Sequence, residues 1–304
     1  MKIVITGGLG FIAQNLAIHL RSQSDHFHLT AIDHFTEASD QEKSLFDQVH
    51  HSCFSDPSAL AHVNDADVLV HLAADTTVQQ SISNPTGTFE NNVVKTHVLL
   101  EHVRLNAPDV KFIFASTGGA IIGDYDGAIN ESVVARPLSP YGASKLAVEG
   151  MLSAYQGAFG IKSASLRFSN VYGPNSHRKG SVIAAFCKMV RDTNTLQING
   201  DGKQTRDYIY VDDIARAIHQ VIRQDGLGVF QLGTGTGTSI LTITDIFREI
   251  LQTSPPNLTH AAALTGEVRH NQCDISRIST ELGFIPEWTL EAGIRKTAQW
   301  YNLI

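Results

Sequence analysis

Tyr141 and Lys145 stand four residues apart in the run Tyr141-Gly142-Ala143-Ser144-Lys145. On a helix that spacing puts both side chains on one face. An ammonium beside a phenol favours the phenolate and lowers its pKa. A tyrosine so placed serves as a general base on a hydroxyl near neutral pH. Upstream, Ser116-Thr117 closes an apolar run, residues 111–115, that reads as a buried strand. A hydroxyl at that strand end can hydrogen-bond the same substrate oxygen. Tyr–Lys pairs of this spacing also decorate the surfaces of many helices. The pair gains meaning from what else the chain carries.

What else it carries is a glycine turn. Thr6-Gly7-Gly8-Leu9-Gly10-Phe11-Ile12-Ala13 follows a β-type run, residues 2–6, and opens a helical one, residues 11–21. Gly7 permits the tight turn. Gly10 lets the backbone approach a pyrophosphate, which rests on the helix N-terminus begun by Phe11 and Ile12. Ala13 is small enough for close helix–strand packing. A second strand, residues 28–32, leads into Asp33, at the separation expected of a ribose-binding carboxylate. A carboxylate there accepts from ribose hydroxyls and repels a 2′-phosphate. The expected cofactor is therefore NAD and not NADP.

These groups need a scaffold that brings strand ends together. Short β-rich runs alternate with helical ones through the first half, including strands at 68–72 and 111–115 and helical spacing at 99–105 and 146–159. Such alternation implies an α/β fold, a doubly wound parallel sheet of Rossmann type. Continuous apolar strands such as Val68-Leu69-Val70 fit burial on both faces. After Tyr172 the texture changes to turn signals, among them Gly173-Pro174 and Asn199-Gly200-Asp201-Gly202. Residues 229–232 read as a core strand returning to the first lobe. The expected division is residues 1–170 plus 211–235 for the NAD-binding domain, and 171–210 plus 236–304 for a smaller, interleaved C-terminal α/β substrate lobe.

The 304 residues carry a net charge of −7 and 42% hydrophobic residues, which is ordinary for a globular enzyme and unsuited to nucleic acid or an anionic membrane as main partner. Cys53, Cys187 and Cys273 form no CxxC pair, and the 14 histidines show no ligand spacing, so no metal site is expected. Neither a signal-peptide pattern nor a membrane-length apolar run is present, and a reduced cytoplasmic setting is expected.

With these residues in view, the sequence resembles the nucleotide-sugar epimerase/dehydratase family of extended short-chain dehydrogenases/reductases. The 4-epimerases of UDP-glucose and UDP-N-acetylglucosamine are the most similar members. The motifs are residues 6–13, His71-Leu72-Ala73-Ala74, Asn91-Asn92-Val93, Ser116-Thr117-Gly118-Gly119-Ala120, residues 141–145, Asn170-Val171-Tyr172-Gly173-Pro174 and residues 206–213. The resemblance runs nearly end to end. It implies Tyr141 as catalytic base, Lys145 as its partner and holder of the nicotinamide ribose, and Thr117 as the catalytic hydroxyl. It implies cofactor contacts at Phe54, Leu72, Ala73, Ala74 and Asn92, with Cys53-Phe54 standing where an adenine-binding Asp is common and Asp56 displaced from it. It implies that Asn170 and Arg206 bind the diphosphate of the sugar nucleotide. A salt bridge from Arg206 to Asp207 is the alternative for that guanidinium, and a turn or cap role the alternative for Asn170. Asp212-Asp213 reads as a helix cap.

Further along, the family's phosphate-binding Arg is replaced by Leu264, and Glu267 stands for its ribose-binding Asp, with Arg269 available to supply charge. Asn271 falls where residue size controls space beside C2 of the sugar, and its intermediate size favours an N-acetylated or otherwise modified sugar. Ile122 replaces a family tyrosine.

Dehydratases of this family place Asp-Glu directly after the strand-end Thr. Here Gly118-Gly119 follows, as in many 4-epimerases. The expected reaction is redox-neutral C4 epimerisation of a UDP-sugar through a 4-keto intermediate, with bound NAD as hydride carrier. The rivals are an NAD(H)-dependent nucleotide-sugar 4-ketoreductase and a non-catalytic NAD-sensing protein. Family members commonly pair through two helices, so a homodimer is expected through the segments 95–104 and that starting near Tyr141.

Overall fold

Seven strands form one parallel sheet: β1 (Lys2–Thr6), β2 (His28–Asp33), β3 (Gln48–His51), β4 (Val68–His71), β5 (Lys111–Thr117), β6 (Ser163–Phe168) and β7 (Gly228–Leu232). A computed structural model describes residues 1–224, 226–252, 254–262 and 269–304. The strand order is β7-β6-β5-β4-β1-β2-β3, so it reverses between β1 and β4. At such a switch point the loops leaving the two strands diverge and open a crevice.

Side chains alternate across each strand, and both faces are covered. Ile3, Ile5, Val68, Val70 and Ile113 face α1 (Phe11–Arg21) and the helix Val211–Arg223. Val4, Leu69, Phe112 and Phe114 face α2 (Lys95–Asn106) and α3 (Pro140–Phe159). The start of α3 is well defined. Ser139 caps it by accepting from Gly142 N at 3.1 Å, and Pro140 occupies the first turn. Gly160, with φ 72°, ends it in the left-handed region.

A second core gathers Tyr172, Ile183, Phe186, Ile198, Phe247 and Ile294 around a three-stranded sheet, with Thr205–Tyr210 between Asn170–Tyr172 and Gly237–Ser239. The lobes interleave more than the sequence boundaries imply. The helix Ser276–Leu282 lies within the 236–304 stretch, yet its Ile278 and Leu282 pack into the first core. The Asp212-Asp213 cap is also corrected. Tyr210 is the N-cap residue and makes no side-chain cap bond. Asp213 is instead fully buried and accepts from the amides of Glu287 and Trp288 and from Arg216. Among the described residues no helix is long and apolar enough to cross a membrane.

Two histidines, His71 buried and His19 half-buried, tie this framework to pH. His71, at the end of β4, bonds Thr6 Oγ1 at 2.6 Å and Thr96 Oγ1 at 2.9 Å. Burial, then the charge of Lys145, lowers its pKa to about 3. His19 on α1 bonds His219 at 3.1 Å, and burial, then the charges of His219 and Arg216, lowers it to about 4. Both are neutral when folded and regain the ordinary value of 6.5 on unfolding, so the unfolded chain binds more protons below that pH. Stability should therefore fall as pH drops from 6.5 toward 4. Thermal melts across that window check it. His19→Gln should flatten the slope, and a melting temperature independent of pH would contradict the assignment.

Candidate active site

The crevice at β1 and β4 is a cavity of about 580 Å³. Gly7, Gly10, Phe11, Ile12, Asp33, Phe54, Leu72, Ala73, Ala74 and Lys145 all line it. Gly7 has φ 65°, and a Cβ there would lie 2.9 Å from Ala73 N. Conformation and space thus both require glycine. Gly8, to which the sequence assigned nothing, presses on β2: a Cβ would sit 2.5 Å from that of Ala31.

Gly10 is the N-cap of α1 and offers no side-chain acceptor. Among the described residues no side chain caps this first turn, and Phe11 and Ile12 both border the cavity, where an anion could accept from their amides. Asp33 is oriented by two amides, Leu9 N and Phe35 N, each at 3.0 Å. An uncapped helix start beside an oriented carboxylate fits the pyrophosphate and ribose of NAD. Cys53 and Phe54 line the next wall, whereas Asp56 accepts from Cys53 N at 3.1 Å and does not line the cavity.

Asn92 does not itself line this cavity and lies buried beside it in a π-helical turn, Glu90–Val94. Its amide accepts from Asp75 N at 2.8 Å and donates to Asp75 O at 2.9 Å and Ser144 Oγ at 3.1 Å. It joins the turn after β4 to α3, while its neighbour Asn91 lines the cavity.

Thr117 ends β5, and its hydroxyl shares a hydrogen bond with the Tyr141 phenol. Ser116 faces the other way, donating to Glu149 at 2.5 Å, and Glu149 pairs with Arg167 at 2.7 Å. Strand alternation thus decides which hydroxyl meets the tyrosine. Neither Thr117 nor Tyr141 lines the cavity, but Lys145 does. Lys145 is buried, donates to Ala115 O at 2.8 Å and lies 4.6 Å above the Phe114 ring. Burial, then the charge of Lys179, brings its pKa to about 7 against the pull of Glu149.

The expected effect of Lys145 on the phenol is not what the geometry gives. Burial pushes Tyr141 up to about 12, and the bond from Thr117 is what opposes the rise. The ammonium is directed at the Ala115 carbonyl.

The two residues after Thr117 are closely covered. A Cβ on Gly118 would lie 1.9 Å from Gln231 Nε2, and one on Gly119 would lie 2.0 Å from Asn271 Nδ2. Both amides are buried, and Gln231 Oε1 and Asn271 Oδ1 have no hydrogen-bond partner among the described residues. Ile122 packs in a small apolar cluster with Ile121 and Ile129.

Asn170 and Arg206 line a second cavity of about 280 Å³. Asp207 does not serve as the guanidinium's partner in the manner the alternative required. It is buried and accepts from Thr234 N, Thr234 Oγ1, Gly235 N and Cys273 N. Asn170 donates to Asp207 O at 3.3 Å. Arg269 is exposed and pairs with Asp201 at 2.8 Å. Glu267 and Leu264 lie outside the described residues.

Sequence reasoning missed Asn175, Arg178 and Lys179, which line the larger cavity from the loop after Gly173. No spacing rule links that loop to the glycine turn; only the tertiary fold does.

A family model described as the NAD dependent epimerase/dehydratase family matches residues 3–233. The chain is 32% identical to a putative UDP-glucose 4-epimerase of Methanocaldococcus jannaschii, over 98% of this chain and 97% of that one. It is 31% identical to a dTDP-glucose 4,6-dehydratase of Shigella flexneri, over 99% of this chain and 92% of that one. Among solved structures, UDP-glucose 4-epimerase from Thermotoga maritima, with UDP-glucose, superposes with a TM-score of 0.91 at 29% identity and covers 100% of this chain and 99% of that one. With the glycine turn, Asp33 and the Thr117–Tyr141–Lys145 set all assembled on the matching scaffold, the chain belongs to the NAD-dependent epimerase/dehydratase family of nucleotide-sugar enzymes.

Proposed function

We propose that this enzyme epimerises C4 of a UDP-sugar without net oxidation. The observation that carries the reading is the covered Gly118-Gly119 pair. An acid–base pair for dehydration would stand there, yet these two residues carry no side chain, and the buried amides of Gln231 and Asn271 lie against them instead.

NAD supplies, when bound, reversible hydride acceptance and a positive ring charge that favours a nearby phenolate. The Phe11 and Ile12 amides and Asp33 would hold it. Tyr141 takes the proton of the C4 hydroxyl and, once the 4-keto sugar has turned over, returns it to the same C4 oxygen as the inverted alcohol forms. Thr117 holds the phenol in place and orients the same sugar oxygen. Lys145 fixes the start of α3 to β5 through Ala115 O and is available to hold the nicotinamide ribose. Asn170 and Arg206 bind the sugar nucleotide's diphosphate, which suits a guanidinium. Arg206→Gln should accordingly raise KM about ten- to hundredfold with a smaller change in kcat, which steady-state kinetics reads. A KM unchanged by this variant would remove Arg206 from the substrate site.

Asn271 Oδ1 is a buried acceptor without a partner among the described residues. An acetamido N–H is a suitable donor, which supports an N-acetylated sugar. We also read the enzyme as a homodimer. Val94, Val98 and Leu105 present one exposed apolar stripe along α2, and Phe159 is exposed at the end of α3. A solution mass of a single chain would contradict the dimer.

Proton NMR tests the reaction. With catalytic NAD, UDP-N-acetylglucosamine should develop the galacto anomeric signal faster than UDP-glucose does. Conversion of neither by an NAD-binding preparation would contradict the substrate reading, and consumption of NADH by a 4-keto sugar without an epimer would favour the ketoreductase.

A further inference from the structure

The loop after Gly173 folds back from the second lobe across the dinucleotide cavity. Asn15 donates to Pro174 O at 3.0 Å. Arg178 donates to Leu9 O at 3.4 Å, lies 3.3 Å from Glu42, and stacks 4.0 Å above the Phe35 ring. These anchors tie the loop to the glycine turn and to the segment following Asp33.

Lys179 comes next, on a fixed main chain. Its N–H donates to Ser176 O at 2.8 Å, and its carbonyl accepts from Lys188 Nζ at 2.8 Å. Its side chain lines the same cavity as Gly7 and Gly10. Burial lowers its pKa, and among the described residues no carboxylate or carbonyl pairs with its ammonium. Lys145 is a second ammonium on that wall, and the two repel. The cavity's own carboxylates are engaged elsewhere. Asp33 holds the Leu9 and Phe35 amides, and Asp75 holds the Asn91 amide. A desolvated positive charge thus lines a space whose described carboxylates are each hydrogen-bonded to amides and not to an ammonium, and the first turn of α1, which no described side chain caps, borders the same space. Those features together call for a multiply charged anion.

We propose that Lys179 is a cofactor-binding residue whose ammonium pairs with the pyrophosphate of NAD. A sugar nucleotide also carries a diphosphate. The cofactor is favoured because the loop is anchored on Leu9 and Asn15, and because Asn170 and Arg206 line a separate cavity. The inference rests on NAD binding alone and is independent of which sugar reaction follows.

Calorimetric titration of the native enzyme, Lys179→Met and Lys179→Arg with NAD, ADP-ribose and UDP tests it. Lys179→Met should weaken NAD and ADP-ribose about ten- to hundredfold and leave UDP within about twofold. Lys179→Arg should recover most of the loss, and added salt should weaken NAD less in Lys179→Met than in the native enzyme. NAD and ADP-ribose affinities within about twofold of native in Lys179→Met would overturn the proposal. So would a loss confined to UDP, which places the ammonium on the sugar nucleotide, and so would an Arg variant as weak as the Met one, which makes charge irrelevant.

Discussion

Tyr141→Phe should lower kcat by about a hundred- to ten-thousandfold while leaving NAD affinity unchanged. The substitution removes one hydroxyl and one hydrogen bond, that with Thr117. The stability cost should stay near 1 kcal/mol, so the variant folds and loads cofactor. Among the described residues its side chain has no other polar duty, since its main-chain carbonyl is what holds Ser144. Burial raises the phenol to about 12, and the base works only when deprotonated. Native activity should therefore rise with pH on the acid side, and the positive nicotinamide ring should move that limb to lower pH than the phenol alone would show. Tyr141→Phe should abolish the limb. More than about a tenth of native kcat in this variant would remove Tyr141 from the chemistry.

Gly142→Ala should be nearly as damaging, through geometry and not through charge. A Cβ on Gly142 would lie 2.0 Å from Ala120 O and 2.7 Å from Ala120 C. Those are backbone atoms of the short helix Gly118–Ile122, which cannot swing aside as a side-chain tip can. The first turn of α3 must then move away from the end of β5, and Tyr141 moves with it. Overpacking of this kind costs about 1–3 kcal/mol. A displacement of about 1 Å at the reacting groups costs about a hundredfold in rate. The melting temperature and kcat should fall together, with NAD affinity least affected because the glycine turn lies elsewhere. An Ala variant with native kcat would mean that the close approach is not needed for catalysis.

What the sequence made legible was mostly local. The glycine turn, the carboxylate ending β2 and the Thr at the end of β5 are each read from a few consecutive residues, and the parallel sheet follows from their alternation with helices. Long-range consequences were less visible. Asn92 reads as a cofactor-side residue from its motif alone, and its bonds to Asp75 and Ser144 from the π-helical turn Glu90–Val94 are visible only in the fold. Asp213 reads as a cap until the C-terminal segment is seen to bring two amides to it. Lys145 reads as a charge acting on a phenol until the Ala115 carbonyl is seen to hold it. Gln231 and Asn271 cover Gly118 and Gly119 from more than a hundred residues away, and no periodicity announces that contact. The same is true of Lys179. In each case the local pattern identified a chemically able residue, and the partner that sets its role came from another element.

Redox neutrality at C4 is the central claim, and isotope placement tests it most directly. UDP-N-acetylglucosamine carrying deuterium at C4 would be incubated with the enzyme and catalytic NAD, and the products read by NMR and mass spectrometry. The account predicts an epimer that keeps its deuterium at C4, with no proton taken up there from solvent and no net NADH formed. A product lighter by one water, or an NADH consumed for each product made, would contradict it.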